Sequence, residues 1–356
     1  MKKIRIKIAN YDPTDTCSYG YFIINILKKH YEIELCEDPD YLFFNESQSD
    51  FLNYPRAIKI FYTGENMHAD FNICDYGFGF DYLNFGDRYY RLPIYIVSKF
   101  YRPKELSQEQ NLQQIGIETE GYFDVEMLRK KDGFCSFVYS NYLADSQRKD
   151  FFDKLSLYKK VNSGGAYLNN IGGRTDNKLA FEMRHKFSIA FENSSNDGYT
   201  TEKLPNALAA QTIPIYWGNP LVDKEFNTKR FINCHNFADF DAVVERVKEI
   251  DLDDNLYIEM INQPQYAEGY NPDEVKAGFE KFLLHIFEQP IDEARRIRIN
   301  TARQSDMLKN LKVMRKVINA RNSALKLASL LYRPFKKIGV IESFKKQYLA
   351  KRKLGK

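Results

Sequence analysis

The sequence predicts an α/β protein of two open, parallel-sheet domains in tandem, followed by a basic helical tail. Three observations lead there. The chain has 356 residues and is 44% hydrophobic, enough for two cores at about 100 to 200 residues per domain. Short apolar runs of strand length alternate with stretches at helical spacing through most of its length. Basic residues gather at one end. From Arg321 to Lys356, eleven Lys/Arg stand against one acid, Glu342, a net of +10; the whole chain carries +4, so the other 320 residues sum to −6.

The elements follow in order. Lys3 to Ile8 alternates apolar and charged residues with period two, a strand, and Tyr19 to His30 is apolar-rich at helical spacing. Strand-like runs recur at Tyr41–Phe44 and Ile58–Tyr62, each handing over to a polar loop. A helix over Arg148–Leu155 ends before Asn162-Ser163-Gly164-Gly165, with a second glycine pair at Gly172-Gly173, which places a domain boundary near residue 160. Beyond it, a strand at Phe187–Phe191, a helix at Thr201–Gln211 and a strand at Ile213–Trp217 imply a parallel sheet with right-handed crossovers. Helices follow at Asp241–Ile250, at Pro272–Gln289 and from Asp292 onward. The expected division is 1–160, 161–320 and a tail at 321–356. Two such sheets put a cleft between two sets of strand ends, where their ligands bind.

Composition narrows the function classes. Five cysteines (Cys17, Cys36, Cys74, Cys135 and Cys234) are scattered, odd in number and without a Cys-x-x-Cys pair, which argues against a disulfide framework or a zinc site. The histidines His30, His68, His185, His235 and His285 show no ligand spacing. Asp38-Pro39-Asp40 and Asp239-Phe240-Asp241 are Asp-x-Asp strings, but the second opens a helix and reads as a cap. The first ten residues lack the apolar core of a signal peptide, and no run reaches the length that spans a bilayer. An acidic body argues against nucleic acid as a partner.

The most informative stretch runs from Phe187 to Pro220. Pro205 is tolerated only in the first turn of a helix and pins its start near Thr201 or Glu202. Lys203 then sits at a helix N-terminus, where free N–H groups, the dipole and an ammonium together suit a diphosphate. Spacing alone favours a capped surface helix with a solvated Glu202-Lys203 pair over such a site. Phe191-Glu192-Asn193-Ser194, Tyr199-Thr200-Thr201-Glu202-Lys203 and Ile213 to Gly218 closely resemble the donor motif of the α-1,3/4-fucosyltransferases. A second block, Phe61-Tyr62-Thr63-Gly64-Glu65-Asn66 with Phe71-Asn72 and Asp75-Tyr76, is similar to the acceptor-side motif of the bacterial members. A third, Ser140-Asn141 and Arg148 to Asp153, resembles the segment whose arginine reaches the donor diphosphate.

The resemblance spans roughly Ile58 to Ile250 and implies a GT-B fold of two Rossmann-like domains with a cleft between them. The first would bind the acceptor and the second GDP-fucose. It implies an inverting, single-displacement transfer of L-fucose from GDP-fucose to GlcNAc, or the glucose of lactose, in an oligosaccharide acceptor. The product would be an α-1,3 or α-1,4 Lewis-type glycan of lipopolysaccharide or capsule. A sugar hydroxyl is a poor nucleophile until its proton is taken, and Glu65 matches the position of that base. Asn193, Tyr199 and Glu202 would hold the nucleotide sugar, and Arg148 and Lys203 its diphosphate. Side-chain cations would neutralise the departing GDP, so no metal or other cofactor is expected. Rival readings are a GT-B transferase using another nucleotide sugar, since no spacing specifies guanine or fucose, and an inactive glycan-binding homologue.

In the tail, Leu325, Leu327, Ala328, Leu331, Ile338, Ile341, Phe344 and Tyr348 recur at helical intervals among lysines, with Pro334 as a break. Such a helix either lies on an anionic membrane surface or packs on the body with a basic outer face. An N-terminal anchor like that of the animal members is not expected here, and no heptad repeat is evident before the tail. The expected location is the bacterial cytoplasm, on the inner face of its membrane if the tail docks there.

Overall fold

The computed structural model describes residues 1–9, 11–14, 18–46, 50–97, 122–142, 144–297 and 302–331. The first sheet comprises β1 (Lys2–Ile8), β2 (Tyr31–Leu35), β3 (Tyr41–Phe44), β4 (Ile58–Tyr62), β5 (Tyr76–Gly79) and β6 (Tyr89–Arg91). Its order is β2-β1-β3-β4-β5-β6, every pair parallel. The second comprises β7 (Gly133–Phe137), β8 (Val161–Ser163), β9 (His185–Phe191), β10 (Ile213–Trp217) and β11 (Ile232–Asn233). Its order is β11-β10-β9-β7-β8, again all parallel. Each sheet starts from an inner strand, with the next strand on one side and the later ones on the other, the doubly wound order with one switch point. The two Rossmann-like domains of the GT-B fold are present.

The boundary expected near residue 160 is corrected by this topology. β7 and β8 belong to the second sheet, so the change of domain falls between residues 97 and 122. Of the glycines that suggested a linker, Gly164 and Gly165 lie in a packed turn inside the second domain, whereas Gly172 and Gly173 are exposed with open space around them. A Cβ on Gly165 would stand 1.9 Å from the Tyr139 carbonyl oxygen, so glycine there serves close approach of two backbones. The later boundary moves as well. The helix Pro272–Glu288 returns to the first domain, placing Phe279 4.8 Å from Phe78, Phe282 6.2 Å from Tyr76 and Phe287 4.4 Å from Tyr41 between ring centroids. Buried Asp75 fastens the end of this return. One oxygen accepts from Lys59 N at 2.8 Å in β4, the other from Arg296 N at 2.7 Å and Ile297 N at 2.8 Å.

Residues 1–297 form one compact unit and 298–356 another. In the latter, one helix, Ala302–Leu331, runs unbroken through the expected boundary at 320. Val313, Met314, Val317, Ile318 and Leu325 on it are exposed. The greater part of the expected tail, from residue 332, lies outside the described residues, as does Cys17. The other four cysteines are free thiols. No helix among the described residues is long and apolar enough to cross a membrane.

Candidate active site

Ligands of open α/β sheets bind beyond the carboxyl ends of the strands, and there the two sheets enclose a cavity of about 300 Å³. The first sheet lines it with Asn45 and Glu46 after β3, and with Thr63, Gly64 and Glu65 after β4. From the second come Asn193, two residues past β9, then Tyr199, Thr201, Glu202 and Lys203. Five of the six expected site residues therefore share one cavity, with Glu65 contributed by one domain and the other four by its partner domain.

The loop carrying Glu65 is held from within and across the cleft. Glu65 N donates to Thr63 Oγ1 at 3.0 Å, and Met67 N to Glu65 O at 2.8 Å, a tight turn. Asn66 then spans the domains, donating to Ser194 Oγ at 2.5 Å and accepting from Asn196 Nδ2 at 2.7 Å. Tyr199 is buried with its ring 4.9 Å from Phe80, edge to face. Burial, with Glu192 nearby, holds its phenol above the usual tyrosine range.

The expected helix start is confirmed in detail. The helix is Lys203–Ala209 with Glu202 as its cap residue and Pro205 in the first turn. What surrounds Lys203 was not anticipated. Its Nζ donates to Thr201 Oγ1 at 2.9 Å, lies 3.2 Å from Glu192 Oε2 and 3.7 Å from Glu202 Oε1. Glu192, wholly buried, also accepts from Thr201 N at 2.8 Å and Thr201 Oγ1 at 2.6 Å. Burial pushes the Glu192 carboxyl up, but Lys203 and the two Thr201 donors oppose it, and taking three donors on two oxygens is the behaviour of a carboxylate. Burial opposes the lysine charge, but Glu192 and then Glu202 outweigh it and hold the ammonium well above its ordinary range. Space for this carboxylate depends on Gly218, where a Cβ would stand 2.3 Å from Glu192 Cγ.

Arg148 occupies a different position from the other five. Its side chain is buried beneath the cavity wall, the guanidinium 4.0 Å from the Tyr139 ring centroid. Nη2 donates to Phe191 O at 3.0 Å and Asn193 Oδ1 at 2.9 Å, and Nη1 to Asn141 O at 3.4 Å. It thus fixes Asn193 at the cavity. Glu46, Glu192 and Asn66 were missed as site residues. Glu192 and Asn66 lay inside the quoted motifs, whereas Glu46 has no local signal and joins the site only because β3 neighbours β4.

The Asp-x-Asp strings have structural partners. Asp239 caps the helix Phe240–Leu252, accepting from Ala242 N at 2.9 Å, and Asp241 pairs with Lys154 at 2.6 Å. Asp38 and Asp40 lie 3.0 and 3.8 Å from Arg5. Among the described residues no group of three or more His, Cys, Asp or Glu is arranged to hold a metal ion.

Residues 8–98 match the model of the α-(1,3)-fucosyltransferase FucT N-terminal domain, and residues 128–276 that of the C-terminal part of glycosyltransferase family 10, the fucosyltransferases. A crystal structure of an α1,3-fucosyltransferase with GDP is 30% identical, covering 79% of this chain and 90% of its own, at a TM-score of 0.64. The chain belongs to glycosyltransferase family 10. Another structure, an α1,3-fucosyltransferase with GDP-fucose, superposes on 80% of this family 10 chain and 91% of its own at 28% identity and a TM-score of 0.65. The α-(1,3)-fucosyltransferase FucT of Helicobacter pylori is 35% identical over 260 residues, 66% of this chain. The chain spans only 54% of that protein's length.

Proposed function

We propose that this family 10 chain transfers L-fucose from GDP-fucose to the 3-hydroxyl of GlcNAc or glucose in N-acetyllactosamine-type acceptors, giving an α-linked, Lewis-type product. One observation carries the reading: Glu65 of the first domain and Asn193, Tyr199, Glu202 and Lys203 of the second face one cavity between the two sets of strand ends. The solved relatives with GDP and with GDP-fucose support the choice of nucleotide sugar.

The chemistry is a single displacement. Glu65 takes the proton of the acceptor hydroxyl, the oxygen attacks the anomeric carbon, and the bond from that carbon to the diphosphate oxygen breaks with inversion. GDP leaves with the bonding pair. Lys203 meets its growing charge directly, while Arg148 places Asn193 and adds its fixed charge from below. Because these cations are side chains, the reaction proceeds without a divalent metal. The tail's net charge supports a further placement, the protein docked from the cytoplasm on an anionic leaflet.

The test offers GDP-fucose, GDP-mannose and UDP-sugars with lactose and N-acetyllactosamine, with and without excess EDTA. The expected result is fucosylated product from GDP-fucose alone, unchanged by EDTA. Turnover of another donor in preference to GDP-fucose refutes the donor assignment. Loss in EDTA that a divalent ion restores refutes the metal-free account.

A further inference from the structure

The cleft holds a second chamber. Beside the Glu65 cavity opens a groove of about 860 Å³, walled by His68, Asp81, Tyr82 and Phe85 from the first domain and by Asn196 and Asp197 from the second. Two segments, 65–68 and 193–197, run along the line between the chambers. Each gives its first residue to the cavity, Glu65 and Asn193, and its end to the groove, His68 in one and Ser195, Asn196 and Asp197 in the other. The bonds of Asn66 to Ser194 and Asn196 pin the segments together at that line. His68 is three positions along the chain from Glu65, a span of at most about 11 Å.

The groove's surface joins apolar faces to fixed polar groups. Tyr82, Leu83 and Phe85 line it and leave 42%, 41% and 43% of their surface exposed, an exposed apolar concentration of the kind that marks a ligand groove. The rings are held in place: Phe85 stacks on Phe71 at 4.5 Å, and the Arg91 guanidinium lies 4.1 Å from the Tyr82 centroid. His68 Nδ1 is 2.5 Å from Asp81 Oδ1, with the aspartate side chain 12% exposed and the imidazole 71%. A carboxylate partner makes Nδ1 the donor, so Nε2 is the ring nitrogen left to bond a ligand. Few convergent polar groups among apolar faces suit a sugar, which presents hydroxyls at its edge and C–H groups on its faces.

We infer that this groove binds the acceptor sugar adjoining the one that is fucosylated, with His68 and Asp81 bonding its hydroxyls and Tyr82 and Phe85 contacting its C–H face. The inference rests on the transferase reading above. It makes the groove the source of preference for a disaccharide over a monosaccharide acceptor, because a single ring presented to Glu65 does not reach His68.

The test uses the full chain at saturating GDP-fucose, comparing wild type with His68→Ala, Asp81→Asn and Phe85→Ser. Three rates are read: transfer to N-acetyllactosamine, transfer to a GlcNAc monosaccharide glycoside, and hydrolysis of GDP-fucose without acceptor. The expected result is a loss of about ten- to a hundredfold in kcat/KM for the disaccharide, carried by KM. Hydrolysis and monosaccharide transfer should stay within about twofold of wild type, with His68→Gln recovering part of the loss. An unchanged KM for the disaccharide in variants that still hydrolyse GDP-fucose overturns the groove's role. A fall in hydrolysis equal to that in transfer assigns these residues to the donor side and overturns it as well. A wild-type chain that neither hydrolyses nor transfers fucose refutes the transferase reading, and this inference with it.

Discussion

Glu192 and Lys203 form a buried ion pair, so removing either partner alone should cost more than removing both. Glu192 is fully buried and Lys203 Nζ, on a side chain 14% exposed, lies 3.2 Å away. In Lys203→Met the carboxylate keeps only Thr201 as a donor, and breaking such a pair typically costs about 3 to 5 kcal/mol. In Glu192→Gln, with the amide oxygen kept on Thr201 N, the N–H₂ faces the Lys203 ammonium, donor against donor, for a similar loss of about 2 to 4 kcal/mol. The double variant buries no net charge at that point and should lose about 3 kcal/mol or less. A coupling energy of at least about 2 kcal/mol follows. Urea unfolding of the four proteins, followed by circular dichroism at pH 7, gives the cycle. Losses that add within about 0.5 kcal/mol would show that the pair is not coupled and refute the assignment of Glu192 as the group that holds Lys203.

Glu65→Gln should retain GDP-fucose binding while lowering transfer by about 10² to 10⁴, the usual contribution of a positioned base; near-normal turnover removes Glu65 from the mechanism. Lys131 is buried, its Nζ donating to Met183 O at 2.8 Å, and burial, with Arg230 nearby, lowers its pKa from 10.5 to about 7. Between those values the unfolded chain binds more protons, so stability rises with pH across that window, and up to about 4 kcal/mol is withheld at pH 7. Lys131→Met should therefore raise the melting temperature at pH 7 and flatten its rise toward pH 10; a lower melting temperature contradicts this. Replacing Lys345, Lys346, Lys351, Arg352 and Lys353 by Gln should release the protein from anionic vesicles while GDP-fucose turnover persists. Charge replacement is preferable to truncation at residue 321, which would cut the helix Ala302–Leu331; equal sedimentation of both forms at low salt removes the tail from membrane binding.

Local chemistry carried the elements that the sequence shows plainly. The alternation of Lys3 to Ile8, the β-rich runs at Tyr41–Phe44, Ile58–Tyr62 and Ile213–Trp217, and the placement of Pro205 and Asp239 each act within a few residues. They specify β1, β3, β4, β10 and two helix starts without long-range help. β5 escaped because Tyr76-Gly77-Phe78-Gly79 has glycines where a strand pattern wants side chains. Only the fold explains the first of them, since a Cβ at Gly77 would come within 2.9 Å of Ala69 Cβ. The motifs likewise named Glu65, Asn193, Tyr199, Glu202 and Lys203 as chemical groups, though not as neighbours.

The sequence by itself determined which residue types are available and which segments are strand or helix, because period, capping and proline geometry are properties of the local chain. Tertiary structure alone decided where the domains divide, that the helix Pro272–Glu288 returns to the first sheet, and that Glu46 joins Glu65 at one wall. The amphipathic pattern of Phe279, Phe282, Ile286 and Phe287 states that this face is buried, but apolar burial is non-directional and names no partner. Charge behaves similarly. Lys203 reads as a free cation in one dimension and becomes half of a buried pair only when β9 and β10 bring Glu192 and Gly218 together beneath it.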